Sequence, residues 1–522
     1  MKRSYVSLSL FLTFLVVLSC TVDQKEKPKE PAKGKKDRNM FGLHIPRGLI
    51  LNSDSLTDGY IMFAVPNSSS TYLINRKGEV VHEWKGNYEI MQAYLQNDGS
   101  LIQGVQDPDF PVFGCCGTYG RLQKINWDSK ILWDFEYANE NHILHHDYTI
   151  LPNNNILAIA YEVKSFDDAI ARGRKGELMP KSGPWLEKIV EIEPQGASGG
   201  RMVWEWHLWD HLIQDNDRTK ANFGVLADHP ELLNFNTGKP MPPAITQDSL
   251  DILKSTGIVH RNTTLDNFDS DIYHFNAIKY NPKLDQIVFS SPSLGEIFVI
   301  DHSTTTKEAA THKGGKSGKG GDFLFRWGNP GNYNRGDSTN QKLFAQHDVR
   351  WIVEGYPGEG NLTVFNNDIP GSKDSLNYSA VYELTPPMDE KGNYLLENGK
   401  AYGPEKPSWV YVAPDTLSFY ASFISGAHRM KNGNTFINEG PRGRFFEVTP
   451  SGKMVWEYLN PYRGEIRQLN GDPVNLIPFV YWGFRSTFIP EDHPALAGKK
   501  LEPLNPQPKV FVLPPPPPSE KK

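Results

Sequence analysis

Residues Ile125-Asn126-Trp127-Asp128-Ser129-Lys130-Ile131-Leu132-Trp133 read as a strand end, a tight polar turn and a returning strand that carries a tryptophan. The same unit recurs at Ile74-Asn75-Arg76-Lys77-Gly78 to Trp84, Ile192-Glu193-Pro194 to Trp204 and Ile300-Asp301-His302 to Trp327. It returns twice more, at Glu383-Leu384-Thr385 to Trp409 and Val448-Thr449-Pro450 to Trp456, which makes six copies. The closest tryptophans, Trp84 to Trp133 and Trp409 to Trp456, stand 49 and 47 positions apart, near the length of one four-stranded propeller blade. Second turns at Gln96-Asn97-Asp98-Gly99, Pro152-Asn153-Asn154-Asn155 and Lys431-Asn432-Gly433-Asn434 give two hairpins, hence four strands, per copy. Alternating apolar residues in Ile156–Ala160, Gln286–Phe289 and Phe445–Val448 fit strands packed between neighbouring sheets. The fold class is therefore all-β, a six-bladed β-propeller with loop insertions at about 207–268, 313–321 and 386–406. Helical periodicity is confined to parts of 207–260, and the repeated tryptophans are assigned to packing between blades.

The composition, 38% hydrophobic with 45 Gly and 39 Pro, suits short strands joined by turns, and a net charge of -6 gives no basis for nucleic-acid binding. Lys2-Arg3, the apolar run from Val6 to Leu18 and the lipobox-like Val17-Leu18-Ser19-Cys20 read as a lipoprotein signal with Cys20 as the acylated residue. Residues 1–20 are thus a signal peptide, 21–40 a disordered Lys/Glu/Pro-rich tether, 41–500 the propeller and 501–522 a Pro-rich tail. The expected location is outside the cytoplasm, anchored to a membrane by lipid and facing the periplasm or cell surface, with monomer and homodimer both open. In that compartment Cys115 and Cys116 are open either to a vicinal disulfide or to two buried thiols.

The innermost strand of each propeller blade lines the central channel. Three such strands begin with histidine at one offset: His146 lies four residues before Ile150, His274 four before Ile278 and His347 four before Trp351. His428 is displaced by an even number of positions, which keeps its strand face, so four imidazoles are expected to converge. Asn276 is expected on the same face as His274, and Asp147 and Asp348 are candidates for orienting a ring. A lone histidine at a strand start is usually structural, but packing does not require an ionisable ring at the same place in successive blades. Neutral imidazole is a nucleophile and imidazolium a proton donor near neutral pH, so such a ring suits attack on an electrophilic sulfur or phosphorus. Arg350, Arg429, Arg442 and Arg121 are the candidates for gripping the anion. Lys313–Gly321 has the glycine content of a phosphate loop without its spacing and reads as a flexible loop; His302 and His312 read as loop residues.

His145-His146-Asp147, Tyr273-His274-Phe275-Asn276 and Gln346-His347-Asp348 running to Asn361-Leu362-Thr363-Val364-Phe365-Asn366-Asn367 are the distinctive stretches. With Ser425-Gly426-Ala427-His428-Arg429 and Asn432-Gly433-Asn434-Thr435, they resemble the arylsulfate sulfotransferase family of exported bacterial enzymes, over a span from Gly59 to Pro461. The resemblance implies ping-pong transfer of a sulfuryl group from a phenolic sulfate donor to a phenol acceptor through a sulfohistidine, with no cofactor or metal. It implies His347 as the nucleophile, His274 and Asn276 as sulfate-binding residues, and His146 or its neighbour His145 as a further active-site histidine. His428, Arg350, Arg429 and Arg442 complete the expected substrate site. The sequence departs from the family at one point: Ser290-Ser291 leads to Pro292 where the family has arginine, so another arginine is expected to substitute. Two other readings stay open, a metal-assisted hydrolase or lyase with the same imidazoles as ligands, and a non-catalytic propeller that binds an anionic or aromatic ligand.

Overall fold

The structure, a computed structural model, describes residues 39–106, 113, 117–238, 245–255, 259, 263–372, 375–416, 418–464 and 480–515. The segment read as an export signal, most of the expected tether, Cys20, Cys115 and Cys116 lie outside the described residues. Six small antiparallel sheets form the six blades of a β-propeller. Blade II runs Glu89–Leu95, Leu101–Gln106, Gly120–Ile125, Ile131–Glu136 from the channel outward, and blade III runs His142–Ile150, Ile156–Val163, Trp185–Gln195, Gly199–His207. Blade IV follows as Ala277–Asn281, Gln286–Ser291, Glu296–Asp301, Phe325–Trp327, and blade V as His347–Trp351, Leu362–Ile369, Tyr378–Leu384, Trp409–Tyr411. Blade VI comprises Gly426–Arg429, Thr435–Glu439, Arg444–Val448 and Met454–Leu459, with Gly48–Asn52 added outside them.

Blade I is built from both ends of the chain. Its outer strands are Gly59–Ala64, Ser70–Ile74 and Val80–Lys85, and its innermost strand is Ser486–Pro490, paired antiparallel with Gly59–Phe63. A repeat count that stops at Trp456 misses this strand. Its pairing matters because an open ring would leave exposed strand edges with unmet N–H and C=O groups. Beyond it, the Leu504 N–H bonds the Val80 carbonyl and the Phe511 N–H bonds the Pro461 carbonyl, so this part of the Pro-rich tail lies on the propeller.

The six repeated tryptophans each stand on the fourth strand from the channel. Five donate their indole N–H to the following blade: Trp133 to Gly199, Trp204 to Thr304, Trp327 to Pro404, Trp409 to Pro450 and Trp456 to Arg76. Blade I varies the device, with His82 bonding the Trp127 carbonyl and Trp84 packing edge-on against Trp127 at 5.0 Å. Each ring thus packs at the seam with the next blade, and five of the six also satisfy their one polar atom there, which is why the spacing of tryptophan reports the blade. His302 strengthens one such seam: it bridges Asp285 and Glu191, and these carboxylates outweigh burial and hold its pKa above the ordinary imidazole range. It is therefore an inter-blade clamp, whereas its place after a strand had suggested only a loop residue. The long insertion after blade III contains the helix Gln247–Ser255 together with a short parallel pair, Leu212–Ile213 with Leu233–Asn234.

Candidate active site

The channel histidines sit where the innermost strands depart from regular pairing. In blade III the register with the second strand jumps between Ala158 and Ala160, and in blade V between His347 and Arg350, so each inner strand bulges. His146, His274 and Asp348 all hold left-handed backbone, with φ of 53°, 55° and 56°. Such backbone costs a non-glycine residue of order 1–2 kcal/mol, and three instances at related positions mark a strained ring that the surrounding sheets enforce. At Gly117 a Cβ would stand 2.4 Å from the His146 ring, so only glycine lets that loop pass.

Three of the expected imidazoles come together, with a fourth behind them. The His146 and His274 rings lie edge to face at 4.3 Å. His146 senses the charge of His274 and His347, and His347 that of His274. His145 does not face the channel. It is stacked on Tyr161 at 3.6 Å and links Glu187 to His146, with Nε2 2.9 Å from the Glu187 carboxyl and Nδ1 2.8 Å from His146 Nδ1. Burial, then Asp271, raises the Glu187 pKa well above the carboxylate range, while burial holds His145 well below the imidazole range. The pair is therefore neutral, with the proton on Glu187. His274 Nδ1 bonds Asp271, which also accepts the Tyr161 hydroxyl at 2.7 Å, and His274 helps keep that buried carboxylate ionised. His347 Nδ1 faces two acceptors, the Ala345 carbonyl and Asn367 Oδ1, both at 2.9 Å. A neutral ring must therefore carry its proton on Nδ1, leaving the lone pair on Nε2 to accept the Ile424 N–H at 3.1 Å.

The expected orienting carboxylates do something else. Asp147 takes Tyr94, Lys279 and the Ile278 N–H, and Asp348 takes Arg350 and the Ala427 N–H, so each ties its blade to the next. Rings are oriented instead by Asp271 in the loop before blade IV, Asn367 on the second strand of blade V, and the pair of Glu187 on the third strand of blade III with His145 beside His146. Asn276 is fully buried beside His274, but its amide joins Ser290 to the Gln346 carbonyl, a framing position.

None of the arginines singled out from sequence fills the place left by Pro292. Arg121 pairs with Asp134 and Glu136, Arg429 with Glu383, Arg442 with Glu439, and Arg350 with Asp348. Arg485 is the cation beside the histidines, and its charge acts on both His146 and His347. It precedes the closing strand of blade I and donates to the carbonyls of Ser425, Phe484 and Asn276, with Nε 3.3 Å from Asp348. Its sequence signal was its place one residue before a channel strand, legible only once Ser486–Pro490 is recognised as that strand. His428 is likewise a correction. Its Nε2 accepts the Phe488 N–H, and it lines a separate cavity with Arg350, Tyr356, Met430 and Thr487. That cavity lies where the inner strands end, whereas His274 and His347 lie where theirs begin and His146 lies at the bulge within His142–Ile150; two residues along an extended strand move a side chain by about 6.6 Å without changing its face.

A family model for arylsulfotransferase (ASST) matches residues 49–468. The chain belongs to the arylsulfotransferase family. Its activity is accordingly that of a sulfotransferase acting on small phenolic molecules. No curated protein matches the chain. Among solved structures it is similar to a Bacteroides caccae protein of unknown function, at 12% identity over 77% of this chain and 94% of that one, TM-score 0.39. It is also similar to a streptogramin B lyase (10%, 86% and 96%, TM-score 0.36) and to a virginiamycin B lyase from Staphylococcus aureus (10%, 79% and 89%, TM-score 0.32). Likenesses this distant add nothing to the assignment.

In this arylsulfotransferase, burial followed by the Arg485 charge presses His347 down to about 3, and burial followed by Arg350 does the same to His428. An unfolded imidazole titrates near ~6.5. Below that pH the unfolded chain takes up protons that the folded chain refuses, so the stability held above ~6.5 is lost as pH falls toward 3. His347, however, remains a free base throughout. The denaturant midpoint should therefore fall steadily below pH 6.5 while kcat/KM for an aryl sulfate persists to about pH 5. An acid limb of activity near pH 6.5 would contradict this environment for His347.

Proposed function

We propose that the protein carries a sulfuryl group from a phenolic sulfate ester to a phenol through a sulfohistidine on His347. The observation that carries this reading is the neutral, buried His347 with its lone pair on Nε2, beside Arg485, His274 and His146. Nε2 attacks sulfur, the N–S bond forms, and the S–O bond to the phenol breaks. The ring becomes cationic, and the two acceptors on its Nδ1–H, Ala345 and Asn367, stabilise that charge. The Ile424 N–H, displaced from Nε2, is then available to a sulfuryl oxygen, as are the Arg485 N–H groups not used by Ser425, Phe484 or Asn276. Ile424 is a β-branched residue held at φ 47°, a backbone outlier that fits a donor fixed in place for this role.

The departing phenolate needs a proton, and the Glu187–His145–His146 chain supports a source. His146 Nε2–H protonates the phenolate, His145 Nδ1–H passes its proton to His146 Nδ1, and Glu187 gives its own to His145 Nε2. Both imidazoles end neutral as the other tautomer, and Glu187 ends as the carboxylate. The acceptor phenol then returns a proton to His146 Nε2, and the three shifts reverse as its oxygen attacks the sulfohistidine. The enzyme is therefore poised as acid before the first transfer and as base before the second.

Mass spectrometry of enzyme quenched during turnover of p-nitrophenyl sulfate should find a sulfuryl adduct on His347, with initial rates giving the parallel lines of ping-pong kinetics. An unmodified His347 during turnover, with intersecting lines, would sink the covalent route.

A further inference from the structure

We propose that His211, His312 and Asp322 form a binding site for one divalent transition-metal ion of the zinc class, outside the channel, where the insertion of blade IV meets the end of blade III. His211 follows the outer strand of blade III, and His312 and Asp322 bracket the glycine-rich loop of blade IV. His211 Nδ1 and His312 Nδ1 each lie 2.8 Å from the same carboxylate oxygen, Asp322 Oδ1, and the three donor atoms fall within 4.8 Å of one another.

The hydrogen-bond account of this cluster does not balance with neutral rings. His211 is fully buried and faces an acceptor at both nitrogens, Asp322 at Nδ1 and the Ala309 carbonyl at Nε2, also at 2.8 Å. A neutral imidazole has one N–H. With that proton donated to Ala309, the Nδ1 lone pair points at a carboxylate lone pair, a contact that becomes favourable only with a second proton on the ring or a metal ion between them. A second nitrogen, from His312, is directed at the same oxygen. A histidine whose remote N–H is fixed by a backbone carbonyl while its other nitrogen meets a carboxylate and a second imidazole has the outer-shell arrangement of a metal ligand. Two imidazoles and one carboxylate suit zinc, cobalt or ferrous iron; a fourth position is left on the side where His312 is 58% exposed.

The loop is shaped for this closure. It is not the loose segment its glycines suggest: the Ser317 N–H is held by Asp301 and the Lys316 N–H by Ser303. A Cβ at Gly321 would stand 2.1 Å from the Ala309 carbonyl and 2.6 Å from His211 Nε2, so glycine is required for the chain to pass behind the ring. Trp206 stacks parallel to His211 at 5.3 Å and donates to the Gly321 carbonyl at 2.7 Å, which fixes both the ring and the loop. The ion would clip blade III to blade IV. It takes no part in sulfuryl transfer, since none of its ligands belongs to the channel cluster.

The test uses the whole chelator-treated enzyme titrated with Co2+, followed by visible d–d absorption. One equivalent should bind with tetrahedral-type bands, and Zn2+ should displace it. His312→Ala, at an exposed position that leaves the fold intact, should weaken Co2+ at least about tenfold with transferase activity unchanged. Absence of d–d bands at millimolar Co2+ would overturn the site. So would tight Co2+ binding that survives His312→Ala, which would place the ion elsewhere.

Discussion

Replacing His347 with alanine should lower kcat by about 10⁴-fold or more, since nucleophile removal abolishes a two-step route and leaves only the residual help of the surrounding donors. The loss should sit in kcat, with donor binding changed little, because Arg485, His274 and the Ile424 N–H remain. The variant should also fold. The cut orphans Asn367 Oδ1 and the Ile424 N–H, a cost of roughly 1–3 kcal/mol each, yet Asn367 keeps its bonds to the Ala421 and Ile424 carbonyls. Exogenous imidazole, entering the space vacated, should restore part of the turnover. A folded His347→Ala enzyme that keeps more than about one per cent of wild-type kcat would remove the histidine from the bond-making step.

Arg485→Lys should be nearly as damaging, with a loss of about 10²–10³ in kcat, the range expected for removing a fixed donor from developing negative charge. Lysine keeps a positive charge but cannot reach the Ser425, Phe484 and Asn276 carbonyls together as the planar guanidinium does. Arg485→Met separates charge from geometry. It removes the second-largest influence depressing the His347 pKa, so the acid limb of kcat/KM should move upward from below pH 5 in addition to the loss of rate. A purely structural arginine would give a lower melting temperature without that shift. If Arg485→Met keeps its acid limb where the parent has it, the electrostatic role assigned here is wrong.

The fold was legible because it is written six times. Trp84, Trp133, Trp204, Trp327, Trp409 and Trp456 must each cross to the next blade, so packing imposes a spacing that a reader can count. His146, His274 and His347 were legible for the same reason, since equivalent strand positions force equivalent directions. What escaped was everything supplied without a repeat. Glu187 and Asp271 reach the imidazoles from the third strand of blade III and from a loop, outside the repeated strand position that carries the histidines. Arg485 was hidden by topology, because its strand belongs to the first blade in space and nearly the last in sequence. His428 was misplaced by treating the strand face as the whole address; height along the channel separates it from the others just as firmly. Asp147 and Asp348 follow histidines in sequence, but the strand turns them to brace the next blade.

The closing strand Ser486–Pro490 has a further meaning for the life of the molecule. During synthesis, the blades bearing His146, His274 and His347 emerge before the segment that completes the wall and brings the guanidinium. A nascent or prematurely ended chain therefore holds His347 in a gap, without Arg485 beside it and open to water. Competence to react is acquired only when the two ends of the polypeptide meet, so loss of the last few dozen residues should silence the protein even though every imidazole of the channel is still encoded.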